Sequence, residues 1–162
     1  MENKVIDRFR FRAWNTMTKT MKEIAQLTFD EDVVQSVNYK ENKTTMHILY
    51  QKHIILMQST GLHAMENKLL YAGDLIRSPY DMELIKLVYW NQKETRFMCY
   101  MNDFMQCGLY QDDITKYKFE IVGNIFENWN WFRESKAEID KIIDKYIWEG
   151  WEKKFGGENN ER

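Results

Sequence analysis

"TGLHAMENKLLYAGDLI", residues 60–76, carries two short apolar runs with a polar turn between them, and a Gly73-Asp74 pair just before the second run resumes. A glycine in that position can adopt a positive φ, and an aspartate beside it can accept backbone N–H bonds from the same turn. The pair is therefore read as the start of a strand, with Thr60-Gly61-Leu62 marking the turn before it. A metal-dependent catalytic role for Asp74 would need a second carboxylate brought beside it. The other acids considered, Asp103, Asp112 and Asp113, follow no metal-site spacing.

The chain around this stretch has 162 residues, 44% hydrophobic and 15% aromatic, enough for one domain with a real core. Its formal net charge of -2 supplies no global positive field for phosphate backbones or anionic lipids. No apolar run approaches the ~20 residues that span a bilayer. The opening "MENKVIDRFRFRAW" lacks the apolar segment of a signal peptide. The expected setting is the cytoplasm without membrane contact, and Cys99 and Cys107, eight positions apart, are expected as reduced thiols.

Working outward, the patterns are mostly those of strands. "RFRFRAW", residues 8–14, alternates with period two and reads as a half-buried strand, with Arg8, Arg10 and Arg12 on one face and Phe9 and Phe11 on the other. "TMKEIAQLTF" is read as its hairpin partner. Residues 44–60 hold one or two strands broken at Gln51-Lys52-His53, and residues 83–101 hold a hairpin around "NQKET". Residues 117–132 read as a strand interrupted by a bulge or bend at Gly123-Asn124. The last segment changes period: Ser135 and Glu138 form a capping box ahead of Ile139, Ile142, Ile143, Tyr146 and Ile147, which predicts an amphipathic helix. The expected organisation is a β-rich core over 1–132, a helix over 133–157 packed on or beside it, and a frayed tail over 158–162.

Three ordered blocks carry a family likeness. "LMQSTGLHAMENKLLYAGDLI" at residues 56–76 resembles the signature of YopX-like proteins of phages and prophages. "FRAW" followed by "TKTM" is similar to the amino-terminal strand and turn of that family, and "FEIVGNIFEN" to its Gly-Asn block. The matching positions include Thr60, Gly61, Leu62, Tyr71, Gly73, Asp74, Gly123 and Asn124. Ser59 stands where the family usually has tyrosine, and "HAMENK" lacks the Asn-Gly that favours a tight type I′ turn. The resemblance implies a mainly β (α+β) protein, a compact barrel or sandwich with extra helical pieces, and assigns no activity, cofactor or catalytic residue.

Chemistry-bearing patterns are few. The acidic run Asp30-Glu31-Asp32 lacks the glycine and glutamate of an EF-hand loop, and His47 and His53 have neither a helical zinc-pair nor a zinc-finger spacing. No phosphate-binding glycine loop is found. The reading that follows has no catalytic, cofactor or metal residues. It expects a phage or prophage accessory protein that is not an enzyme and acts by self-assembly or protein binding. The tryptophans Trp129, Trp131, Trp148 and Trp151 are its candidate interface. The alternative is a small-barrel nucleic-acid binder using Arg8, Arg10 and Arg12; a further alternative is an enzyme of unknown class.

Overall fold

In a computed structural model of the chain, the described residues are 7–30, 33–40, 46–102, 105–131, 137 and 141. They form two antiparallel sheets and one short helix. The strands of the first sheet are β1 (Phe11–Asn15), β2 (Thr20–Asp30), β3 (Val33–Lys40), β4 (Met46–Tyr50), β5 (Ile54–His63) and β6 (Leu69–Tyr71), in spatial order β4-β3-β2-β1-β5-β6. The second sheet holds β7 (Asp74–Ser78), β8 (Asp81–Asn91), β9 (Arg96–Asn102), β10 (Met105–Gly108) and β11 (Glu120–Asn124), in order β10-β9-β8-β7-β11. The helix α1 (Gln111–Lys116) lies between β10 and β11 in the chain.

The two expected hairpins form, β1 with β2 and β8 with β9. Residues 44–60 contain two strands, split at the 3-10 turn Gln51–His53. The expected irregularity at Gly123 is a register shift between Ile121 and Gly123. Of the expected barrel or sandwich, a closed barrel does not form: among the described residues, β4 and β6 end one sheet and β10 and β11 end the other. The helix expected over 133–157 and the tail over 158–162, with Trp148 and Trp151, fall outside the described residues apart from positions 137 and 141.

Two features of the amino-terminal segment differ from its period-two pattern. Asp7–Phe9 is a 3-10 turn, closed by the Arg10 N–H donating to the Asp7 carbonyl, so the strand begins only at Phe11. That strand is buried on both faces rather than one: Trp14 enters the main cluster with Met57, Ile76, Val88 and Phe97, whereas Ala13 joins Val34, Val37, Ile54 and Leu56. The β2–β3 pairing shifts register between Ile24 and Gln26, and the β3 residues Val34 and Val37 pack with Ala13 of β1 and Ile54 and Leu56 of β5. A third cluster, Leu75, Leu87, Tyr89, Met98, Tyr100 and Ile125, uses the alternate residues of β7, β8 and β9. Each large side chain so buried contributes about 1.5–3 kcal/mol, and β1 and β5 of the first sheet and β7, β8 and β9 of the second supply most of them.

The turn in "HAMENK" is tight despite its composition. Glu66 and Asn67 have φ of 59° and 56°, the paired positive values that define a type I′ turn. The Lys68 N–H reaches the Met65 carbonyl at 3.5 Å, and the Ala64 N–H bonds to the Lys68 carbonyl at 2.8 Å. Thr60-Gly61-Leu62, expected as a turn, lies instead inside β5, where Gly61 has φ of 77° and the pairing with β6 shifts register.

Candidate functional site

The chain passes from one sheet to the other at Ala72-Gly73. The Ala72 N–H donates to the Gln58 carbonyl of β5 at 3.0 Å, and the next N–H, of Gly73, donates to the Val88 carbonyl of β8 at 2.7 Å. Gly73 also accepts the Ile125 N–H at 2.9 Å. Its φ of 86° makes this change of partner direct, in a region where an L side chain costs about 1–2 kcal/mol.

Asp74 follows as the first residue of β7 and is fully buried. Its Oδ1 accepts a bond from Arg12 Nη2 at 2.6 Å, and its Oδ2 accepts the Tyr71 N–H at 2.8 Å. The Arg12 guanidinium also lies over the Tyr71 ring, 4.8 Å from its centre. Asp74 therefore joins β1 of the first sheet to β7 of the second, while its backbone is paired in register with Asn124 of β11. Burial pushes the Asp74 carboxyl above the usual carboxylate range, and the Arg12 cation and the Tyr71 N–H offset this only in part. The contact geometry agrees. Arg12 meets Asp74 through one nitrogen, and its buried Nε makes no hydrogen bond among the described residues, so the pair lacks the two-pronged fit that repays desolvation most fully.

Thr60 and Asn124 each bind backbone groups near this junction. Thr60 Oγ1 donates to the Leu70 carbonyl at 3.1 Å and accepts the Leu62 N–H at 2.9 Å. Asn124 Oδ1 accepts the N–H groups of Phe126 and Glu127, and Asn128 Oδ1 accepts the Asn124 N–H at 3.1 Å. To do so the Asn128 side chain crosses Gly123, where an added Cβ would stand 2.2 Å from Asn128 Oδ1. The glycine is a space requirement. All three sequence blocks thus converge on one structural joint, and among the described residues no group of three metal-ligating side chains forms.

The three arginines do not share a face. Arg8 donates to the Ser59 carbonyl at 2.7 Å and stacks over Phe97 and Trp90, Arg12 is held by Asp74, and Arg10 pairs with Asp7 at 3.3 Å. Of the tryptophans, Trp129 packs at the edge of the third cluster, and Trp131, in the same 3-10 turn, is exposed.

Two surface features were not singled out in the sequence. One is a cleft of about 270 Å³ between the β7–β8 turn and the end of α1, lined by Tyr80, Asp81, Lys86, Tyr117 and Phe119 among others. The other is the outer face of the edge strand β4, where Met46, Ile48 and Tyr50 are 50%, 56% and 59% exposed. The alternation in "MHILY" carried that second signal.

The structure defines a two-sheet, mainly β protein whose distinguishing residues build a joint between sheets. The family model of the YopX protein matches residues 10–131, and the chain belongs to that family. The crystal structure of protein EF1440 from Enterococcus faecalis is similar, with a TM-score of 0.55 at 21% identity over 76% of this chain and 97% of that one. It supports the fold. A sequence search of curated proteins finds no match. No helix among the described residues is long and apolar enough to cross a membrane.

Proposed function

We propose that this YopX protein is a phage or prophage accessory protein that acts without catalysis, by pairing with a second copy of itself through the edge of β4. The observation that carries the reading is the exposed Met46, Ile48 and Tyr50 row on a strand whose outer edge has no neighbouring strand among the described residues. Edge strands normally carry charge or proline to prevent such pairing. "MHILY" has no lysine, arginine, carboxylate or proline, so two copies related by a two-fold axis would meet without repulsion between such groups. A nucleic-acid reading draws less support, because Arg8 and Arg12 commit their guanidinium groups inside the fold.

Light scattering on the full chain tests the proposal. The expected result is a dimer that Ile48→Lys converts to a monomer with an unchanged circular dichroism spectrum. A wild-type monomer at all accessible concentrations overturns it, as does a dimer that the substitution leaves intact. Capture of a different protein through the same face, by a wild-type monomer, would also replace it.

A further inference from the structure

Cys99 and Cys107 are direct partners across the β9–β10 pairing. Facing residues in an antiparallel pair have Cα atoms about 4.5–5.5 Å apart, inside the span of about 4.4–6.8 Å that a disulfide bridges. The two side chains act on each other electrostatically. Their surroundings differ: Cys99 is buried in the main cluster, and Cys107 is exposed on the edge strand. One sulfur is open to a reagent and the other is sheltered beside it.

We propose that Cys99 and Cys107 form a redox-modification site, which low-molecular-weight disulfides oxidise to an intrachain disulfide that fastens β10 to β9. The Cys107 thiolate attacks one sulfur of the reagent RSSR, forming a mixed disulfide and expelling RS⁻, which takes up a proton. Cys99 then gives its proton to solvent and attacks the Cys107 sulfur, expelling the second RS⁻. Two cysteine thiols and one RSSR become one cystine and two RSH. The electrostatics assign the order of attack. The Cys99 side chain draws the Cys107 thiol down to about 6, with Lys86 of β8 aiding and burial and Asp113 of α1 opposing. The Cys107 side chain, with burial, raises Cys99 well above the ordinary thiol range. Cys107 is the nucleophile at neutral pH and Cys99 the resolving thiol.

Oxidised glutathione is the probe. After incubation with the native full chain, acid quench, and denaturing alkylation, mass spectrometry should show wild-type protein lighter by two hydrogens, with no retained glutathione and no alkylated cysteine. Cys99→Ala should retain one glutathione on Cys107, and so should Cys99→Ser, a second variant in case one packs poorly. Cys107→Ser should retain none. The rate of Cys107 modification should reach half its maximum near pH 6, where the thiol is lowered to about 6, rather than near the ordinary value of about 8.5. Retained glutathione on the wild type, a disulfide between two chains on a non-reducing gel, or a rate midpoint at the ordinary value would each overturn the proposal.

Discussion

Asp74, read from the sequence as part of a strand start, also ties the two sheets together through Arg12. Its carboxyl is fully buried, with one cation and one N–H for partners, and burial is the larger influence on its protonation. Since the folded value lies above the unfolded one, the folded protein keeps this proton to higher pH than the unfolded chain. The contribution of Asp74 to stability is therefore greatest below about pH 4 and declines as pH rises through the folded value. Urea unfolding across that window should show this decline in the wild type and a flatter profile in Asp74→Asn, which cannot ionise. Arg12→Ala should steepen it and cost about 3–5 kcal/mol at neutral pH, because a buried carboxylate is left with one donor. An unchanged profile in both variants would mean that the pair is not buried as described.

At the scale of elements, the turn between β5 and β6 holds two non-glycine residues at positive φ. Each costs about 1–2 kcal/mol in that region, and glycine returns about 0.5–1 kcal/mol of this through chain entropy. Glu66→Asn combined with Asn67→Gly should thus stabilise the protein by about 1 kcal/mol, read as a rise in Tm, while the exposed Glu66–Lys68 pair is lost at little cost. No rise would argue against the turn geometry. The strands were legible because period two survives in "MHILY" and in the 83–101 hairpin. Thr60-Gly61-Leu62 was misread because a positive-φ glycine suits both a turn and a bulge, and only the pairing partner distinguishes them. The arginine row failed for a similar reason: alternation predicts a shared face only where the strand has begun, and the Asp7–Arg10 turn delays it to Phe11.

For the whole molecule, the decisive contacts join distant parts of the chain, and that is what local patterns could not show. Arg12 and Asp74 lie 62 positions apart, so motif blocks recognised separately gave no hint that they meet. Cys99 and Cys107 become partners only once the β9–β10 register is known. Trp14 belongs to β1 but packs among residues of both sheets and stacks on Phe126 with ring centres 5.6 Å apart. Trp14→Ala should cost about 3–5 kcal/mol and raise amide exchange in β1 and β8 together. Exchange confined to β1 would mean that the two sheets unfold separately.

The crossing at Ala72-Gly73 has a bearing on how such a protein can diverge. Its demands are met by a few atoms at one seam: a reversed backbone, a carboxylate, a guanidinium and an asparagine turn. Strand faces remote from the seam are under no such demand. Relatives could exchange their exposed rows and edge strands while retaining the same stitch that holds the two sheets together.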